Sequence, residues 1–285
     1  MQIIKDKNFP NERDLYNTNN AIIENCSFSG QEDGESALKE SSFITLKNCF
    51  MDLRYPLWHV KKLTMHDCTQ TEKCRAALWY VSEAKINSSN LMGIKALREC
   101  KDVQILNCKV NSAEFGWHTV NAIVENSTIN GEYAFFQSKD LTLNGVKFSG
   151  KYSFQYCENL RISKCTLNTK DAFWHANKVV VEDCEITGEY IAWYSEDVAF
   201  IRCKIKGTQP FCYCKKLTLI DCEMVDADLA FEYSEANANL KGKLISVKNF
   251  LKGTITVDEV DEIIFCNSVY KANGKIVQRN KKDSL

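Results

Sequence analysis

The sequence predicts an all-β fold: a right-handed single-stranded parallel β-helix, a solenoid of about 12 coils of about 19 residues in one domain. Three observations point there. Cysteine recurs at a fixed spacing, apolar residues alternate around each recurrence, and the interval leaves no room for a crossover helix.

Stepping by nineteen from Cys108 gives Ser127, Val146, Cys165, Cys184, Cys203 and Cys222, and Cys49 and Cys68 are also nineteen apart. Three successive coils are ENLRISKCTLNTKDAFWHA (158–176), NKVVVEDCEITGEYIAWYS (177–195) and EDVAFIRCKIKGTQPFCYC (196–214). The residues five and three before the Cys are apolar (Leu160/Ile162, Val179/Val181, Leu217/Leu219), as is the residue two after it (Leu167, Ile186, Ile205). A period of two marks a half-buried strand, and strands that return so soon pair in parallel with the next coil. A polar or Gly turn follows (Gly131, Gly150, Gly188, Gly207), then a second apolar-aromatic strand. Insertions fall around 31–39 and 70–75. Coils are assigned to 19–249, an N-terminal cap to 1–18, and a C-terminal strand, cap and polar tail to 250–285. Asn or Asp just before the Cys (Asn25, Asn48, Asp67, Asn107, Asp183) predicts side-chain amide ladders along the axis.

The chain has 285 residues, 36 basic against 37 acidic, and 14 cysteines. That charge balance builds no basic face for nucleic acid or an anionic membrane, and no segment has the ~18 apolar residues of a membrane helix. The N-terminus has no apolar run of signal-peptide length, so a cytoplasmic location is expected. Stacked interior Cys act as small hydrophobes; CxxC pairs are missing, and neither a metal site nor a cofactor is expected.

The second strand carries the chemistry. Trp58, Trp79, Trp117, Trp174 and Trp193 share one column, and the next position reads His59, Tyr80, Glu99, His118, Gln137, Tyr156, His175, Tyr194, Tyr213, Glu232. Strict strand parity sends one column in and the other out. Burying two Glu and three His costs more than burying Arg98, so Trp is expected inside and the His/Tyr column outside. A polysaccharide could lie on such a row, with His59, Tyr156, His175, Tyr194 and Tyr213 as contacts. The competing reading makes the row an interface for a second copy. If the chain is an enzyme, it is a carbohydrate-active hydrolase or lyase with Glu99 as acid/base, Tyr80 and His118 assisting, and Glu232 as a further carboxylate. Loop candidates are Asp33, Glu35 and Lys39 in the first insertion and Arg75 in the second.

The phrases DGESALKES (33–41), YPLWH (55–59), RAALWY (75–80), KDAFWH (170–175), GEYIAWYS (188–195), LAFEYS (229–234) and SVKNFLKGTI (246–255) resemble a bacterial family of unknown function with a pectate-lyase-like β-helix, over essentially the whole chain. The resemblance implies the fold and a bacterial source and brings no catalytic residues. The paired-Asp and Gly-His-Gly motifs of pectate lyases and polygalacturonases are missing here.

Overall fold

The computed structural model describes residues 1–30 and 35–279. It is an all-β parallel solenoid of about 14 turns, with no helix among the described residues. The expected count of about 12 was low because both segments assigned as caps carry rungs. Gln2–Lys5 pairs in parallel with Asn19–Glu24, Lys252–Val257 pairs with Glu235–Lys241, and Lys275–Gln278 pairs with Lys252–Val257.

Two compact units divide the chain, Met1–Lys147 and Phe148–Leu285. In the first, the leading strands of successive coils (Asn19–Glu24, Ser42–Lys47, Lys61–His66, Ser82–Asn87, Lys101–Leu106, Val120–Glu125, Lys139–Asn144) pair in register. In the second, Glu158–Ser163, Asn177–Glu182, Glu196–Ile201 and Lys215–Val225 do the same. Each coil stacks like on like, so Val179 lies between Leu160 and Val198, and Val181 between Ile162 and Phe200, all buried.

Backbone handedness explains the column before the Cys better than amide ladders do. Asn25, Asn48, Asp67, Asn107, Asn126, Asp183 and Asp221 all have φ between 48° and 53°. Asn and Asp tolerate this left-handed region best among non-glycine residues. Within this column the expected ladder forms in part, among the described residues: Asn48 Nδ2 donates to Asn25 Oδ1 (2.9 Å), Asn25 Nδ2 to Asp6 Oδ1 (3.2 Å) and Asn239 Nδ2 to Asp221 Oδ1 (3.2 Å).

The Cys column follows from the same bend, which aims a main-chain N–H inward. That N–H needs an acceptor small enough to stack. Ser127 Oγ accepts from Cys108 N (3.0 Å), Cys184 Sγ from Cys165 N (3.3 Å) and Cys222 Sγ from Cys203 N (3.5 Å). A second column after the aromatic row repeats the device: Ser138 Oγ accepts from Thr119 N (3.1 Å), and Ser234 Oγ from Cys214 N (2.8 Å). All cysteines are free, and all are buried except Cys266. Burial pushes the Cys100 and Cys214 thiols up to about 12, which keeps them protonated and inert.

Candidate functional site

The aromatic row breaks the parity on which its reading depended. In the coil ending at Ala176, Phe173 is buried, Trp174 half-buried, His175 exposed and Ala176 buried again. His59, Tyr80, Glu99, His118, Gln137, Tyr156, His175, Tyr194 and Tyr213 all have φ between 52° and 60°. A left-handed residue turns the chain, so two consecutive side chains leave the core on the same side. The Trp column is therefore not core, which corrects the expectation that it points inward, and the His/Tyr column lies beside it toward solvent. Phe173 and its equivalents fill the interior instead. Gly116 holds that position in one coil because a Cβ there would come within 2.5 Å of the Phe135 ring.

In the second unit the outer rings form a continuous stack. Centroids lie 4.9 Å apart for Tyr156–His175, 5.1 Å for His175–Tyr194 and 4.6 Å for Tyr194–Tyr213, with interplanar angles of 9–10°. Tyr233 continues it at 5.6 Å, and Tyr270 closes on Tyr233 edge-on at 5.3 Å. Behind this stack Trp174 and Trp193 lie parallel at 5.5 Å, their indole N–H groups donating to Tyr190 O (2.8 Å) and Gln209 O (2.7 Å). His175, Tyr194 and Tyr213 thus have a ring on both sides and turn edges, not faces, to solvent. A sugar would meet phenol oxygens and imidazole nitrogens there rather than open ring faces.

In the first unit, His59 and Tyr80 stack at 4.9 Å, and Trp58 and Trp79 at 5.3 Å. Lys39 from the first insertion places its Nζ 3.9 Å from the Trp58 ring centre, and Glu35 lies 3.9 Å from Arg54. Lys39 thus reaches the aromatic row and Glu35 meets Arg54, while Arg75 is exposed and joins through its main-chain carbonyl, which accepts from Tyr55 N (3.1 Å). Asp33 lies outside the described residues. Tyr80, Glu99 and His118 do fall on successive coils of one column, their N–H groups donating to Arg98 O, Trp117 O and Phe136 O. No second carboxylate adjoins Glu99 in that column, and nearby Glu114 is 3.3 Å from Lys95. The two-carboxyl arrangement of glycoside hydrolysis is not assembled there.

Glu232 does not belong to the outer column. Tyr213 N donates to Glu232 O as His59 N does to Trp79 O, which puts Glu232 in the Trp column and Tyr233 in the outer one. The coil from Cys214 to Ser234 has twenty residues rather than nineteen, so the count slipped by one. Glu232 accepts from Lys248 Nζ at 3.0 Å, and that hydrogen bond raises the Lys248 pKa. This half-buried pair ties the aromatic column to the last coils.

A second surface, absent from the sequence reading, is a trough of about 550 Å³ across five leading strands of the first unit. One wall is Asn20, Phe43, Lys62, Glu83 and Asp102, and the other includes Thr45, Thr64, Lys85 and Gln104. Its floor is the strand backbone at Ala21, Leu63 and Ala84, whose side chains point into the core. The first wall is again a left-handed column, with φ between 54° and 57°. Its side chains splay outward from the sheet and leave the trough between the walls. The available signal is the second position of the leading strands, polar at Asn20, Lys62, Glu83 and Asp102 and aromatic at Phe43, followed two residues on by Thr64, Lys85 and Gln104 in the last three. A smaller trough of about 320 Å³ in the second unit is lined by Asp197, Lys216, Thr218, Glu235, Asn237 and Lys252, among others. Among the described residues no group of three His, Cys, Asp or Glu could hold a metal, and no helix is long and apolar enough to cross a membrane.

A family model described as a protein of unknown function (DUF3737) matches residues 2–277. No curated protein matches the sequence. Among solved structures, the chain is similar to the Streptococcus pneumoniae surface protein and adhesin PfbA (8% identity, 91% of each chain covered, TM-score 0.38). It is also similar to the A-module of the Azotobacter vinelandii mannuronan C-5 epimerase AlgE6 (10% identity, 98% of this chain and 89% of that one, TM-score 0.34). A third is HetL, a pentapeptide repeat protein from Nostoc sp. strain PCC 7120 (13% identity, 78% and 92%, TM-score 0.31). At these scores the likeness is one of coiled β architecture alone.

Proposed function

Because the chain belongs to the DUF3737 family, whose function is unknown, we propose a function from its own geometry: binding of an extended oligosaccharide in the trough of the first unit. The trough itself carries this reading. It crosses five coils, its walls alternate hydroxyl, amide and charged groups, and one aromatic ring, Phe43, stands 52% exposed on its rim. An elongated concave surface with convergent polar groups suits a hydroxyl-rich chain better than a compact apolar ligand. The reading is one of binding; it assigns no catalytic base.

The tyrosine row of the second unit is the alternative surface, because Tyr156 and Tyr194 remain 47% and 45% exposed. It would bind a glycan through its ring edges, or a second copy of the chain through their combined apolar area. Calorimetric titration with an oligosaccharide panel separates these readings. Thr64→Trp fills the trough from an exposed position, and Tyr194→Ala opens the row. Loss of binding in Thr64→Trp alone supports the trough. Loss in Tyr194→Ala alone moves the site to the row, and a stable dimer broken by Tyr194→Ala makes the row an interface.

A further inference from the structure

The trough is charged across its width. On the strand Ser82–Asn87, Glu83 stands on one wall and Lys85 on the other, with Ala84 pointing into the core between them. The neighbouring strand puts Asp102 beside Glu83 and Gln104 beside Lys85.

Opposite charges on neighbouring coils of this chain usually meet. Lys170 pairs with Glu189 and Lys216 with Glu196, each at 2.8 Å, and Lys204 with Glu223 and Lys252 with Glu235, each at 3.6 Å. Lys62 is the neighbour of Glu83 one coil earlier and could do the same. Its Nζ sits instead 4.6 Å from the centre of the Phe43 ring. Asp102 is held by Asn121, whose Nδ2 donates to Oδ1 at 2.6 Å. Among the described residues, the carboxylate of Glu83 and the ammonium of Lys85 make no hydrogen bond or ion pair. Two unpaired charges of opposite sign therefore face one ligand from opposite walls.

Resting on the trough reading above, we infer that the ligand is a zwitterionic oligosaccharide, in which an amino sugar turns its ammonium to Glu83 and Asp102 and an acidic sugar turns its carboxylate to Lys85. Complementary charge on both edges fixes which way round the chain lies and rejects neutral glycans of the same shape.

The test titrates the full chain with four glycan probes of equal length and, beside them, a Lys–Glu alternating peptide. The glycans are an alternating glucosamine–glucuronate oligosaccharide, its N-acetylated form, its carboxyl-reduced form, and a neutral cello-oligosaccharide. The zwitterionic probe is expected to bind about three- to fivefold tighter than either singly masked form, as suits exposed charge pairs, with the margin shrinking in salt. Glu83→Gln should reduce discrimination against the N-acetylated probe, with Asp102 keeping the remainder, and Lys85→Gln should abolish discrimination against the carboxyl-reduced one. Both sites are exposed, and an unchanged denaturation midpoint checks that both variants fold. Equal affinity for all four probes, lost in Thr64→Trp, would overturn the charge inference and leave the trough standing. A Lys–Glu alternating peptide binding as tightly as the zwitterionic glycan would overturn the carbohydrate class. No binding of any probe would remove the trough reading itself.

Discussion

In the first unit the outer column reads His59, Tyr80, Glu99, His118 and Gln137; in the second it reads Tyr156, His175, Tyr194, Tyr213 and Tyr233. The second series stacks without interruption, and the Trp174 and Trp193 indoles behind it are hydrogen-bonded. The first is broken at Glu99, and the Nε1 atoms of Trp58 and Trp79 are buried without a hydrogen-bond partner. The larger trough lies in the first unit too, with unpaired charges on its walls. A row whose members satisfy one another has little left to offer a ligand, whereas a row interrupted by charge and insertion keeps groups unspent. The regular unit reads as scaffold and the irregular one as the place to look for function.

Four experiments test this contrast. The largest effect belongs to the interior. Phe173→Ala should cost about 3–5 kcal/mol, because Phe173 is fully buried and stacked on Phe154 at 5.2 Å. The matching position in the first unit, Leu78→Ala, should cost about 2–5 kcal/mol. Denaturant midpoints of both variants report the difference. Equal losses would mean that the second unit gains nothing from its rings.

The inward N–H groups come next. Ser138→Ala in the first unit and Ser234→Ala in the second each strand one buried N–H, at about 1–3 kcal/mol. Cysteine at either site should restore most of the loss, since Cys184 and Cys222 accept the corresponding inward N–H of the other column through sulfur. If Ala is as stable as Cys, the column is selected for size alone.

This device marks the boundary of what the sequence made legible. The repeat, the parallel strands and the column membership of His59 through Tyr213 follow from spacing, because every coil keeps the same residue types in register. Which way Trp174 and His175 point did not follow. That depends on φ at His175, and an alternation rule has no place for a left-handed residue that is not glycine. The trough was hidden for the same reason: Lys62, Glu83 and Asp102 look like ordinary outward strand residues until their φ is known. Glu232 was misplaced by a single extra residue in its coil.

The outer rings should show a smaller difference. Tyr194→Ala removes two stacked contacts and Tyr80→Ala one contact in the column, so the first should cost about 1 kcal/mol more in thermal or chemical denaturation. The reverse order would place the stabilising row in the first unit.

Smallest is a gain. Burial raises the pKa of Asp171, with Glu189 adding to that effect and Lys170 opposing it. The folded state then holds its proton more tightly than the unfolded chain does. The penalty is absent below the ordinary carboxylate range of about 3.9 and appears as pH rises through the folded value. Asp171→Asn should therefore stabilise the second unit at neutral pH and make no difference in acid, while keeping the carbonyl that accepts from Gln155 Nε2 (3.0 Å). Stabilisation that persists in acid would point to backbone preference at φ 53° rather than charge.

The coil also behaves like a reading frame. Ala21 pairs with Ile44, twenty-three residues on, and Leu63 with Ala84, twenty-one on, where most coils take nineteen. The two extra residues of the second of these coils fall around Thr71 to Cys74, and the single extra residue near Asp226 falls at the same corner. Everywhere else a one-residue insertion would move each left-handed position, inward acceptor and stacked ring out of phase with its neighbours at once. The last coils depart from this frame: the register slips between Leu219 and Cys222, and Ala236 pairs with Gly253, seventeen residues on. In the nineteen-residue coils that corner takes the drift in length, and away from it such coils can lengthen or shorten only by whole coils, as a message does by whole codons.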